Sequence, residues 1–511
     1  MAGPSNFYRY MRVMAKILAS KWFFGLVIGL FVVQAGFVAF VGRYSMAFDE
    51  YYHYELIQQY AKVLWPWSVA QPPGPAELGA VTTDTSYLYH WLMSFPFRFI
   101  RLFSDSLQTH LLVMRLLDVA IVAAGLFVYR KLLLLVGVSR AATHGMLAVL
   151  VLVPVTTFLA GQLTYDALMF TMTGVALLYA VKLLKEIRSQ SVALPTLLLA
   201  LSFLLLASIT KYAFFVIALI VGVVLCVELY VAYRPKLQRP KQYIQNAGKH
   251  LGTELKKPAT VLIFGLFIVS SILFLQRYGL NAVRYGTPVP DCGTAISESR
   301  CRAYAPYGRN IAYKEAGYAN SVKATDVAYY PVRWSAKMMR SLFFAVAPRE
   351  AGYAPGNPLP IAKTAGNVIA WSIVVLIIVG LPWLLRDAVA RLLLLASVGY
   401  INLLFARNLS EFVSLGVPVA VNGRYILYLL PVLATLAYHS AKHLVGKTGD
   451  KQNMLWAVGC FAALLLGILM VFGGGFLPFV IRSGDEWMWP SAVEATREFR
   501  SLLWPYVLKE W

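Results

Sequence analysis

The sequence predicts an all-α membrane protein with about eleven transmembrane helices. Three observations predict it. The chain is 59% hydrophobic and only 14% charged, a balance that soluble globular domains do not have. Apolar runs recur from end to end, most of them near the ~20 residues that cross a bilayer. Lys and Arg gather in alternate links between those runs, as membrane orientation requires.

Taken in order, the runs fall at about 22–42, 111–129, 143–161, 165–183, 193–209, 212–230, 259–276, 365–385, 389–406, 424–441 and 454–476. The first is too long for a cleaved signal peptide and lacks a small-residue cleavage site. Basic residues mark one side: Arg9, Arg12, Lys16 and Lys21 before the first run, Arg130, Lys131 and Arg140 after the second, and Lys182, Lys185 and Arg188 after the fourth. The link "YRPKLQRPKQYIQNAGKHLGTELKKP" after the sixth and "KHLVGKTGDKQ" after the tenth complete the pattern. Simple alternation then puts the N-terminus in the cytoplasm and the C-terminus outside. Four units follow: 1–276, a transmembrane module carrying a first external loop at 43–110; 277–364, a folded external cap; 365–480, further transmembrane helices; and 481–511, an external tail.

The net charge of +22 does not indicate nucleic acid, because the basic residues are spent on orientation and no basic-aromatic module is present. Cys292 and Cys301 share one polar loop, "DCGTAISESRC". Nothing nearby supplies further zinc ligands, so a local disulfide is expected, and with it an oxidising compartment. The topology places that loop outside by an independent route.

Unusual polar residues collect on the outer side. Asp49 and Glu50 follow the first run in "FDEYYH", with His53 one helical turn on. Asp166 opens the fourth run, Lys211 sits between the fifth and sixth, and Arg424 opens the tenth. Ionisable residues at membrane depth are costly and by default mark function. Singly, each has a plainer reading: Asp49 as a helix cap, Lys211 and Arg424 as snorkelling cations. Within the second run, Arg115 and Asp118 are three apart and are expected to neutralise one another.

The stretch from Phe48 to Trp65 has helical spacing, with Leu56, Tyr60, Val63 and Leu64 on one face and Trp65 and Trp67 suited to the interface. A second helix fits "SYLYHWLMSFPFRFIRLF", bent by Pro96. Both are expected to lie flat on the membrane. Asp84 and His90 are further candidates in this loop. Chemistry that wants an acid at such a boundary is glycosyl transfer from a polyprenyl-phosphate sugar. A carboxylate takes the acceptor's proton, and cations hold the departing phosphate. The cap is rich in Tyr and carries Arg277, Arg284, Arg300, Arg302 and Arg309; aromatic faces suit sugars and arginines suit phosphate.

These motifs, in this order, resemble the GT-C superfamily of membrane glycosyltransferases, and within it a bacterial multi-pass family long filed as a domain of unknown function. "FDEYYH" resembles that family's opening acid motif, "LTYDALMF" its Asn-x-Asp-Ala-Leu stretch with Thr164 in place of Asn, and "NGRYILYLLPVL" its late Gly-Arg-Tyr span. The resemblance covers roughly 20–440 and implies a GT-C fold with two interfacial helices in the first external loop. It implies Asp49 as catalytic base with Glu50 beside it, and Asp166 as a second acid. His53 and Asp84 are secondary acid, acceptor or metal candidates, and Lys211 and Arg424 are assigned to the donor phosphate. No particular cofactor is assigned; a divalent metal, Mg or Mn, is an option. The expected partners are a polyprenyl-phosphate-linked sugar donor, a glycan or lipid acceptor and membrane lipids, at the external face of a bacterial inner membrane. The alternatives are a lipid-linked saccharide flippase, or a ligase or polymerase using a diphosphate lipid donor.

The orientation is checked by reporter fusions after residues 70 and 245. They are expected to give opposite signals, and the same signal from both would overturn the alternation.

Overall fold

The computed structural model describes residues 4–47, 49–234, 256–344, 359–445 and 449–503, and among them no strand forms beyond one isolated bridge between Gly42 and Met488. The helices are α1 (Pro4–Ala19), α2 (Lys21–Val41), α3 (Glu50–Tyr60), α4 (Leu88–Arg101), α5 (Leu107–Val136), α6 (Arg140–Leu152), α7 (Pro154–Ala160), α8 (Tyr165–Arg188), α9 (Leu194–Thr210), α10 (Phe214–Tyr233) and α11 (Pro258–Phe274). After the cap's short turns come α12 (Ala324–Phe343), α13 (Pro360–Arg386), α14 (Ala388–Leu415), α15 (Arg424–Leu427), α16 (Leu430–Val445), α17 (Gly449–Gly474) and α18 (Phe476–Arg482). Local chemistry starts several of them: Ser20, Ser106, Ser139, Thr164 and Asp387 each accept a backbone N–H in the first turn, satisfying donors that a helix leaves open.

Eight helical segments among the described residues are long and apolar enough to cross a membrane. The other three expected spans are broken or shorter. The 143–161 run is α6 and α7, bent by 70° at Pro154, whose ring cannot follow a helical residue. The 193–209 run is the 17-residue α9. The 424–441 run breaks into α15 and α16 around Tyr428 and Leu429. The basic link that contains Lys241 lies outside the described residues.

In the first loop, α3 ends at Tyr60, so Leu64 falls beyond it and is exposed rather than sharing the face of Leu56 and Tyr60. One face of this helix is buried on the rest of the chain, while Tyr51 on the other is half exposed. Tyr54 and Ile57 pack against Tyr89, Met93 and Phe97 of α4, while Leu56 and Tyr60 pack against Tyr87 and Leu88. Pro96 lies within the run of α4. That helix exposes Leu92, Phe95 and Phe99, and the stacked pair Trp65 and Trp67 is exposed beside the loop, as an interfacial layer would require.

Arg115 does not neutralise Asp118. Its Nε and Nη2 donate to the two carboxylate oxygens of Glu50, both at 2.7 Å, with both side chains buried. Glu50 also accepts from Met46 N at 3.0 Å and Leu163 N at 3.1 Å. Asp118 instead accepts from the Tyr89 hydroxyl and Thr164 N. The reason is reach: a guanidinium fork matches a carboxylate bidentately, and the chain supplies one directly across from α5. The tail closes the same end of the bundle, with Arg43 N donating to Trp487 O and Trp489 N to Val41 O, both at 2.9 Å.

Removing one member of a buried ion pair leaves an uncompensated charge and costs ~3–5 kcal/mol. Glu50→Gln and Arg115→Met are each expected to lower the thermal midpoint of the purified protein sharply. The Glu50→Leu/Arg115→Leu double variant should recover part of that loss. Single variants that melt with the parent would show that the pair is no anchor.

Candidate functional site

The site assembles where the C-terminal ends of α2 and α9 meet the N-terminal ends of α5, α8 and α15. The turn before α15 aims Arg424. Asn422 Oδ1 accepts from Arg424 N at 3.0 Å, and Gly423 N donates to Ser341 Oγ at 2.6 Å. A Cβ at Gly423 would stand 2.1 Å from Met338 O and 2.3 Å from Leu342 N, so the close seat of this turn on α12 requires glycine.

Asp49 has φ of 65°, the left-handed region that Asp tolerates better than most residues. It occupies the N-cap position of α3, but its side chain makes no capping bond, so the helix-cap reading fails. The carboxylate turns instead to Arg424, whose Nη2 donates to Oδ2 at 2.8 Å. Its side chain is 65% exposed against 8% for Arg424. Burial of its surroundings pushes the Asp49 carboxyl up, yet the Arg424 guanidinium prevails and holds it below the usual carboxylate range.

Asp166 is buried behind this pair. Lys211 Nζ donates to its Oδ1, and Arg424 Nε lies 3.8 Å from its Oδ2. Lys211 projects from the turn between α9 and α10 and sits over the rings of Tyr165 and Tyr425, at 4.7 and 4.4 Å. Two acids and two cations from four separate elements thus form one charge-balanced cluster. Glu50, beside Asp49 in sequence, is committed to Arg115 and does not join it.

His53 pairs through Nδ1 with His90 Nε2 at 2.9 Å, both rings buried. Burial drives His53 down to about 3 and His90 far below its ordinary value, so both are neutral at physiological pH. Asp84 accepts from Ser86 N at 2.8 Å, and burial raises its carboxyl. Among the described residues no three His, Cys, Asp or Glu side chains come together as metal ligands. Asp49 and Asp166 are matched to cations and His53 to His90.

Five half-buried tyrosines surround the cluster, and sequence reasoning singled out none of them: Tyr52, Tyr165, Tyr212, Tyr304 and Tyr425. Tyrosine is common at membrane interfaces, so nothing in the pattern distinguished these. Arg407 was also missed. It donates to the Tyr212 hydroxyl and, at 3.1 Å, to Glu411. Its signal was legible, an ionisable residue at the very end of an apolar run.

No family model matches this chain, and no curated protein matches it. Among solved structures, the chain is similar to the oligosaccharyltransferase of Archaeoglobus fulgidus with a tethered acceptor peptide, at 12% identity and a TM-score of 0.43, over 96% of this chain and 59% of that one. It therefore spans under two thirds of that enzyme's length. It is also similar to ArnT from Cupriavidus metallidurans bound to undecaprenyl phosphate, at 12% identity and a TM-score of 0.29, over 82% of this chain and 78% of that one.

Because Arg424 holds the Asp49 carboxyl down, the charged form is expected to persist as pH falls below the ordinary carboxylate range. Arg424→Gln removes that restraint and leaves burial, so the titration should move upward. NMR of carbon-labelled aspartate carboxyls, assigned with Asp49→Asn, reads the difference; an unchanged midpoint in Arg424→Gln would dismiss the pairing.

Proposed function

We propose that this chain is a GT-C-type glycosyltransferase of the bacterial inner membrane. It moves a sugar from an undecaprenyl- or decaprenyl-phosphate donor to a cell-envelope glycan or lipid-linked saccharide on the outer face. One observation carries the reading: an exposed Asp49 carboxylate is held charged by Arg424, which is itself seated beside the buried Lys211–Asp166 pair at one end of an apolar bundle. That end joins the three things the reaction needs, namely a base open to an aqueous acceptor, cations for a phosphate, and helices that a lipid tail can lie against.

In the reaction, the acceptor hydroxyl gives its proton to Asp49 while its oxygen attacks the anomeric carbon. The bond from that carbon to the phosphate oxygen breaks, its electron pair leaves on the phosphate, and the anomeric centre inverts. Arg424 and Lys211 face the departing phosphate. A guanidinium has five N–H donors in a fixed fork, so Arg424 can grip Asp49 and a phosphate oxygen together and tie base to leaving group. Asp166 is the counterion that keeps the two cations in place before donor arrives. Glu50 is a positioning residue: its pairing with Arg115 and with Met46 and Leu163 N–H groups fixes the segment from which Asp49 projects.

Loss of a positioned base typically costs ~10²- to 10⁴-fold in rate. Asp49→Asn keeps size and tolerates the same backbone. It is expected to melt like the parent, to retain binding of undecaprenyl phosphate, and to lose transfer by about that factor. Lys211→Met is expected to weaken lipid-phosphate binding instead. Transfer by Asp49→Asn at the parental rate would remove Asp49 from the chemistry.

A further inference from the structure

Tyr304 differs from the other tyrosines of the site because it comes from the cap, and the cap is fastened just there. Cys292 and Cys301 are joined, with Cα atoms 5.9 Å apart. Between them Arg300 donates from Nε to Gly74 O at 2.7 Å and from Nη2 to Pro72 O at 2.6 Å, and its own carbonyl accepts from Ala76 N at 3.0 Å. The cap is thereby stitched to the first loop by three bonds at one residue. Tyr304 follows in the next turn, its N–H bonded to Cys301 O at 2.9 Å.

The ring of Tyr304 is placed from below as well. Gly79 has φ of 69°, and a Cβ there would meet the Tyr304 ring at 3.3 Å, so the first loop offers a bare backbone for the ring to rest on. Opposite stands Tyr52 of α3, with ring centroids 6.0 Å apart and planes tilted by 35°. Both rings are mostly buried, with part of each left open, and so is Asp84, which follows Gly79 in the same loop and whose carboxylate is oriented by Ser86 N.

This trio is suited to a sugar and unsuited to a phosphate. A pyranose has an apolar C–H face that stacks on aromatic rings and a rim of hydroxyls that donate to a carboxylate. A phosphate would be repelled by Asp84 and is served by Lys211 and Arg424. We infer that Tyr52, Asp84 and Tyr304 form a sugar-binding subsite beside Asp49, with Tyr304 as its stacking face and the Cys292–Cys301 disulfide as the clasp that holds this face in place. The inference rests on the glycosyl-transfer reading and adds to it which residues select the sugar. It also gives the disulfide a function at a distance: without it, Arg300 loses its fixed stance and Tyr304 its position.

The test uses the purified full chain in detergent without reductant. Binding is measured for bare undecaprenyl phosphate and for undecaprenyl phosphate carrying glucose, mannose, galactose or N-acetylglucosamine. The parent is expected to bind at least one sugar-bearing lipid more tightly than the bare lipid. Tyr304→Ala should erase about tenfold of that preference, the scale of one aromatic contact, and leave bare-lipid binding unchanged. Tyr304→Phe should keep the preference, and Cys292→Ser/Cys301→Ser should lose it selectively. A Tyr304→Ala variant with the parent's preference intact, or a parent with none, overturns the subsite and leaves the transferase reading standing. A parent that binds none of these lipids overturns that reading, and the subsite with it.

Discussion

The bond from Arg424 to Asp49 spans 375 positions of sequence, and the arrangement of the site depends on it. Around it, each charge has its own support. Asp166 and Lys211 answer one another behind Arg424, Gly423 lets its turn sit against α12, and Glu50 pins the chain beside Asp49 to α5. A cluster of this kind is costly to assemble in a low-dielectric bundle unless its charges match. Here two positive and two negative groups are brought from four elements, and only one of them, Asp49, opens to solvent. The geometry thus separates a buried group of charges from a single exposed carboxylate.

The sequence revealed much of this because membranes are unforgiving. An isolated Asp, Lys or Arg in an apolar run stands out, and Asp49, Asp166, Lys211 and Arg424 could all be named and assigned to one side. The disulfide was equally readable, since two cysteines in a polar loop with no other ligands have few alternatives. What could not be read were choices made in three dimensions. Spacing alone favoured Asp118 as the partner of Arg115, whereas the fold offers Glu50 from another element. Position alone made Asp49 a helix cap, but its left-handed backbone directs the carboxylate elsewhere. The tyrosines carried no pattern because only the tertiary fold decides which of many rings gather around the cluster. The bend at Pro154 was legible as a proline but not as a 70° turn, because prolines at membrane depth are accommodated in several ways.

The first loop and the cap both contribute to the end of the bundle that holds the charge cluster. The first loop provides the acid and the floor, through α3, α4 and the turn that carries Gly79. The cap provides a roof that reaches the floor through Arg300. Neither segment is long enough in regular structure to make a core of its own, and each packs on the other and on the bundle. This explains why one face of α3 is buried. Its buried face, with Tyr54, Leu56, Ile57 and Tyr60, is the layer on which the outer residues stand.

The short pairing of Val41–Arg43 with Trp487–Trp489 bears on how the molecule is made. Membrane chains enter the bilayer in order from the N-terminus, so the root of the first loop waits through nearly the whole of synthesis for the segment that covers it. Asp49 likewise waits for Arg424. Until both arrive, the nascent protein displays an unmatched acid and an open backbone at its outer end. An unfinished copy therefore lacks both the partner of Asp49 and the backbone bonds that cover Val41–Arg43.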